Sequence, residues 1–480
     1  MHVNLMNMFR NKDYTIPAFF ALLIIVAIIK IPHLYVPHFW DEAWSYSPAV
    51  QYMSEHTLGL LPSVLPPEYS KGHPLLFFFL SASWMRIFGD SLAAKHCFAL
   101  FISYLLLFSL FYTVSRLFSK RVAICSLMFV ALQAVFLAQS SMLLPEIMLS
   151  FFTVWTLYFY LKRKPLPYLI SGTLLLMTKE SGVFLIIVIW VFDLVIFLLR
   201  NGNRSWGRQM LWPAILALPV FLDFVFLGIQ KATYGWFFYP EHLSLIKTFS
   251  QGIGQLGSYI LYFFILDGRI WLTSAFVVSL VIALLFRISM TGSEKRSILL
   301  MIVFIVFFIV AHSFFIFSPR YLLCANITMA VVSAFFIDLV TRRVPLLNLL
   351  VSVFIAGMLF NVSLHQRNNG DTDLGYIDSI NLQKMAVSYF ESNQLTKKRI
   401  YAMFVLRRDM QEKSAGYLSG EPFTRVTADP VDHPDYLVGS NIIYDPFFQD
   451  KRNYISFETV RHFQSGWMEL TIYGKKQDRK

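Results

Sequence analysis

Charge is scarce in this chain. Only 15% of its 480 residues are Asp, Glu, Lys or Arg, against the roughly 25% usual in soluble proteins. That shortage excludes a domain solvated on all sides. Cysteine is scarcer still: Cys97, Cys125 and Cys324 all lie inside apolar runs. They read as buried small hydrophobes, which excludes a disulfide framework and a thiolate metal site. No fixed-period repeat and no low-complexity tract breaks the sequence.

Apolar and aromatic residues fill the space, at 56% and 17% of the chain. Ile16–Tyr35, Ser181–Leu199 and Ile298–Phe317 are nearly uncharged runs, each about the 20 residues needed to cross about 30 Å of hydrocarbon. The fold class is therefore an all-α polytopic membrane domain. The first run is too long for the apolar core of a signal peptide and lacks a small-residue cleavage site, so it reads as an uncleaved anchor. The net charge of +12 does not mark a nucleic-acid site. Its cations cluster in short loops, at Arg116/Lys120/Arg121, Lys162/Arg163/Lys164, Arg200/Arg204/Arg208, Lys295/Arg296 and Arg342/Arg343, as in loops that stay on the cytoplasmic side.

Arg10 and Lys12 place the N-terminus in the cytoplasm, and threading from there predicts about eleven spans. An extracytoplasmic stretch over 36–90 follows the first span, with Leu75–Leu80 in a helix lying in the interface. The span Ser258–Phe286 is expected to break at Asp267-Gly268-Arg269. Residues 1–362 form the membrane domain of a multi-pass protein of the cell inner membrane. Beyond Val362 polar residues return. The β-prone runs Arg399–Val405, Asp435–Val438 and Glu469–Tyr473, with turn signals at Ser419-Gly420, Asp429-Pro430 and Gly474, predict a small extracytoplasmic α/β domain over 363–480.

The few charges at the outer face are the informative ones. Asp41 and Glu42 follow the first span, then Glu68, Lys71 and His73, then Glu146 after Pro145. Lys179 and Glu180, Tyr234 and Tyr239 with Glu241 and His242, and Arg320-Tyr321 complete the set. A single lysine at a helix end merely snorkels, and Arg320 alone reads as an interfacial anchor. Charge at this boundary is unfavourable unless it is paired, solvated or used. Topology signals deplete this face of Lys and Arg, so their joint presence with acids marks a site.

The order of these motifs resembles the C-type membrane glycosyltransferases, and within them the protein O-mannosyltransferase and lipid A aminoarabinose transferase branch. The matching stretches are Asp41-Glu42, Tyr69-x-Lys71-Gly72-His73-Pro74-Leu75, Phe88-Gly89, Leu144-Pro145-Glu146-x-x-Leu149, Leu176–Glu180 and Ser318–Leu323. The resemblance implies inverting transfer of a sugar from a polyprenyl-phosphate donor to a lipid, polysaccharide or protein acceptor outside the cytoplasm. It implies Asp41 as general base, with Glu42 orienting a metal, the acceptor or a basic partner. Lys71, Lys179, Arg320 and Tyr321 would hold the donor phosphate, with Tyr69, His73, Glu146 and Tyr234 as further site residues. The aromatic loop Tyr234–Tyr239 would cover the donor and exclude water.

The sequence departs from that pattern in two places: Glu146 stands where the family has aspartate, and Gly72-His73 where relatives often have prolines. His73 with Asp41 and Glu146 offers a donor set for a divalent ion, Zn²⁺, Mn²⁺ or Mg²⁺. A His73 that only hydrogen-bonds in its loop is the competing reading. Gly252-x-Gly254-x-x-Gly257 lacks the βαβ setting of a dinucleotide site. Asp371-Thr372-Asp373 reads as a solvated linker, and Asn361-Val362-Ser363 as a sequon relevant only in a eukaryotic host. A transporter or flippase is the rival function, since Asp193, Asp223 and Asp267 lie in or near spans. Two lesser rivals are a glycan ligase with the same donor class and a non-catalytic glycan-binding scaffold.

Overall fold

The computed structural model describes residues 15–200, 211–429 and 433–476. The topology signals Arg10, Lys12, Arg204 and Arg208, and the turn residue Pro430, lie outside the described residues. Every predicted span is helical, but not every one has spanning length. Among the described residues seven helices are long and apolar enough to cross a bilayer: Thr15–His33, Leu92–Leu117, Glu180–Leu199, Leu211–Tyr234, Gly292–His312, Pro319–Thr341 and Pro345–His365.

Three of the eleven expected spans are shorter or divided helices. Glu146–Leu161 and Pro165–Thr178 have 16 and 14 residues. The shorter reaches about 21 Å at 1.5 Å per residue. Residues 122–141 divide into Lys120–Ala131 and Ala134–Gln139 around Leu132 and Gln133. The expected break at Asp267-Gly268 is a corner: Phe249–Phe264 and Arg269–Leu285 meet at 84°. Both corner residues are left-handed, with φ of 52° and 76°, and Arg269 closes the turn on Asp267 at 2.8 Å.

Side chains fix where the helices start. Ser91 accepts from the Ala94 N–H and Ser119 from the Val122 N–H. Thr248 with Gln251, and Thr291 with Glu294, form capping boxes, each satisfying two backbone donors. Leu323–Thr341 is the hub. It packs against Lys120–Ala131, Glu146–Leu161, Arg269–Leu285, Gly292–His312 and Pro345–His365, and nearly all its side chains are buried. The small residues Ala325, Ser333 and Ala334 let neighbouring backbones come close, the usual packing device between apolar helices. Arg320 sits in the 3₁₀ turn Pro319–Leu322 that opens this helix, so the fold places it centrally.

Between the first two long helices, Ser47–Glu55 packs on Leu76–Phe88. The latter buries Leu76, Phe77, Phe78, Ala82 and Met85 on one face. At 13 residues it is too short to span.

The polar C-terminal part carries a five-stranded sheet of β1 (Ile400–Ala402), β2 (Val426–Thr427), β3 (Tyr436–Ser440), β4 (Phe457–Ser465) and β5 (Met468–Lys475), in the order β2-β1-β3-β5-β4. β1 runs parallel to β2 and β3, while β5 is antiparallel to β3 and β4. Helix Tyr376–Ser392 covers β4 and β5, and the inward residues Met468, Leu470 and Ile472 alternate along β5 as the pleat requires. Lys30, at the end of the first long helix, donates to the Tyr376 hydroxyl at 2.8 Å.

Candidate active site

Six segments far apart in sequence, around Asp41, Lys71, Glu146, Lys179, Arg320 and Asp371, bring charge to the ends of the helices. Asp41 follows Trp40, which has a left-handed φ of 49°, and precedes a single π-helical turn, Glu42–Tyr46. Such turns re-aim side chains and recur at functional sites. Asp41 accepts from Arg320 Nη2 through one oxygen and from Trp44 Nε1 at 3.0 Å through the other. Its side chain is 28% exposed, whereas that of Arg320 is 3% exposed.

The guanidinium is shared among three carboxylates. Arg320 Nη1 donates to Asp371, and Nε lies 3.5 Å from Glu146 Oε1. Glu146 opens the helix Glu146–Leu161 and accepts from Lys179 Nζ at 2.7 Å, while its second oxygen is buried without a partner. Lys179 in turn stands 3.9 Å over the Tyr321 ring, a cation–π contact strengthened by burial. Tyr321 Oη lies 3.5 Å from Arg320 Nη2.

Lys71 joins the cluster through Trp44, whose indole N–H donates to Asp41. The Lys71 φ of 48° caps the short helix Pro67–Ser70 and aims Nζ at the Trp44 ring, 2.8 Å from its centre. Nζ is buried and has no hydrogen-bond partner. Burial pushes its pKa down to about 8, against the pull of Asp41 and Glu241. For Asp41 burial is the largest single effect and acts upward, but the Arg320 charge, the hydrogen bonds from Arg320 and Trp44 and the Lys179 charge together hold the carboxyl below its ordinary range. Asp371 is the reverse case: burial wins over Arg320 and lifts it.

The remaining predicted residues stand around this cluster and outside it. His73 is turned to Glu180, with Nδ1 2.8 Å from Oε1, and its ring lies 4.9 Å from His242. Tyr69 packs on Tyr52, and Tyr234 donates to the Leu65 carbonyl at 2.8 Å. Trp236 and Tyr239 press on the Lys71–His73 turn: a Cβ on Gly72 would meet them at 3.0 and 3.2 Å. Glu42 points away from Asp41 into the protein, where it accepts from the Leu143 N–H at 2.7 Å. The expected metal donor set does not assemble, because Asp41 and Glu146 face Arg320 and Lys179 while His73 faces Glu180.

A sequence profile of the dolichyl-phosphate-mannose-protein mannosyltransferase family matches residues 72–226. No curated protein sequence matches the chain. Among solved structures, ArnT from Cupriavidus metallidurans bound to undecaprenyl phosphate has a TM-score of 0.60 at 12% identity, covering 95% of this chain and 97% of that one. Its apo state gives 0.57 at 12% identity, over 94% and 97%. The chain has the fold of ArnT. The oligosaccharyltransferase AglB from Archaeoglobus fulgidus, with an inhibitory peptide and a dolichol-phosphate, stands further off at 0.48 and 11% identity, over 98% and 75%.

Within this fold the C-terminal part closes on the site at points that local sequence does not reveal. Asp371, expected in a solvated linker, is instead buried against Arg320. Its neighbour Asp373 is fully buried and accepts from the Asn368 and Gly375 backbone. Phe404 meets the Trp44 ring edge-on at 5.6 Å, and the His38 N–H donates to the Ala415 carbonyl at 2.9 Å. The acid-x-acid spacing at 371–373 is the one signal in the sequence. It gains its meaning only from the chain's return to the bundle.

Proposed function

We propose that this protein is a membrane glycosyltransferase that moves a sugar from a polyprenyl-phosphate donor to an acceptor hydroxyl on the extracytoplasmic face. The observation that carries this reading is Asp41: the most open carboxylate around Arg320 at 28% exposure, within the electrostatic reach of Lys179 and Lys71. A base and three cations at one mouth suit a reaction that takes a proton at one atom and releases an anion at another.

In this reading the acceptor oxygen attacks the anomeric carbon from the face opposite the phosphate. Its proton passes to Asp41, the new C–O bond forms, and the bond from the anomeric carbon to the phosphate oxygen breaks with its electron pair. Configuration at that carbon inverts. The donor is a phosphodiester with one negative charge and the product a monoester, so negative charge grows on the leaving phosphate as the bond stretches. Fixed cations aimed at that charge stabilise the transition state more than the ground state. Arg320 can grip two phosphate oxygens, and Lys71 and Lys179 act as point charges. An arriving phosphate competes with Asp41 and Asp371 for the guanidinium, which frees Asp41 for the acceptor proton. Trp236 and Tyr239 over the Lys71 turn supply a cover that limits hydrolysis.

Glu146, Tyr69, His73, Tyr234 and Tyr321 are assigned to the walls of this site, and the acceptor is a lipid, polysaccharide or protein hydroxyl. The test is sugar transfer by protein reconstituted in lipid, offered a panel of polyprenyl-phosphate sugars. Release of free polyprenyl phosphate by wild type, lost in Asp41→Asn, supports the assignment. Movement of lipid or solute across the bilayer with no sugar transfer from any donor sinks it in favour of a transporter.

A further inference from the structure

Glu42 lies beside Asp41 in sequence, yet its surroundings are those of a different site. Oε1 accepts the Leu143 N–H at 2.7 Å and Oε2 the Phe39 N–H at 3.2 Å. Two imidazoles close on the same carboxylate: His96 Nε2 lies 3.1 Å and His38 Nδ1 2.9 Å from Oε1. The three side chains are exposed by 3%, 0% and 2% for His96, His38 and Glu42, so the arrangement is shielded from bulk solvent.

The protons on these rings do not complete it. His96 Nδ1 lies 2.9 Å from the Leu34 carbonyl oxygen, which only accepts, so Nδ1 carries the hydrogen. A neutral His96 then directs the lone pair of Nε2 at a carboxylate lone pair, which is repulsive. Protonating His96 would mend that contact, but His38 Nε2 would stay buried without a partner, and Nδ1, although 2.9 Å from Oε1, is out of line for a hydrogen bond.

A cation among the three groups satisfies all of them at once, and one donor atom from each lies within 4.8 Å of the others. We propose that His38, Glu42 and His96 bind a divalent transition metal ion of the Zn²⁺ type. Two neutral imidazoles and one carboxylate are a common zinc donor set. The Leu34 carbonyl orients His96 as an outer partner orients a metal-bound histidine. Lys30 and Lys95 both lie in the field of Glu42. They disfavour a hard ion held by charge alone, so Mg²⁺ and Ca²⁺ fit poorly and an ion bound through nitrogen fits better. The ion is structural: it pins residues 38–42 to helix Leu92–Leu117 and fixes the backbone from which Asp41 projects.

The test uses the full chain purified without a polyhistidine tag. Metal analysis is expected to find about one Zn²⁺ per chain in wild type and at least tenfold less in His38→Ala and His96→Ala. Because either variant could fail to fold, wild type is also stripped with a chelator and titrated with Co²⁺. Visible ligand-field absorption and a rise in thermal midpoint as the ion returns are expected. Metal-free wild type that gives no Co²⁺ spectrum and no shift in midpoint overturns the proposal and leaves an imidazolium–carboxylate pair. None of these readouts depends on sugar transfer.

Discussion

Arg320 and Asp371 form a buried ion pair across the junction between the helical bundle and the C-terminal sheet. One partner opens the central helix and the other lies in the segment after the last long helix, so the C-terminal part supplies a counterion to the site itself. Removing Asp371 leaves Arg320 with Asp41 and Glu146. Asp371→Ala is therefore expected to lower stability by about 1–3 kcal/mol, less than for a pair with no other partner. Thermal unfolding followed by tryptophan fluorescence checks this. An unchanged midpoint would mean that the pair contributes nothing.

Asp41→Asn keeps the shape of the side chain and removes its charge and basicity. Loss of the general base is expected to lower kcat by roughly 10²–10⁴-fold, with donor binding retained. Separate measurement of turnover and of polyprenyl-phosphate binding distinguishes the two effects. Parallel loss of both would point to a positioning role in place of proton transfer.

Lys71 makes the reaction sensitive to alkaline pH. Its folded pKa is lowered to about 8, so the ammonium needed for the phosphate is present below that value and lost as pH rises through it. The kcat/KM for donor should fall over this window. In Lys71→Arg the fall should vanish, because guanidinium keeps its proton. A pH–rate profile of both proteins decides the matter, and identical profiles would remove Lys71 from the phosphate site.

Gly72 controls the aromatic cover. Its φ of 73° strains any residue with a Cβ, and a Cβ there would stand 3.0 Å from Trp236, so the aromatic side chain would have to give way. Gly72→Ala is expected to push the loop outward and raise the ratio of donor hydrolysis to sugar transfer, read as free sugar against glycosylated acceptor. A ratio equal to wild type would mean that the loop does not shield the donor.

The order of helices and most of the charged cluster were legible because each rests on local signals. Apolar runs fix helices, basic loops fix alternation, and acids or cations at apolar ends must have partners. Arg320, Lys179, Glu146 and Asp41 meet as that logic expects. What failed depends on contacts between distant segments. Asp371 looks solvated until the chain folds back on Arg320. Glu42 looks catalytic until His96, 54 residues on, turns it inward. His73 looks like a metal ligand until Glu180 claims it. Three helices fell short of spanning length because apolar composition does not reveal where a helix stops inside a protein-lined bundle.

The bond from Lys30 to Tyr376 and that from the His38 backbone to Ala415 bear on how such proteins can be recombined. Both run from the segment just before Asp41 to the C-terminal part, so no cut between membrane and polar halves avoids the surroundings of Asp41. A chimera that takes its sheet from a relative inherits half of the seam around Asp41 as well. Swaps that carry residues 366–376 with the bundle, and match position 415 to position 38, are the ones expected to stay active.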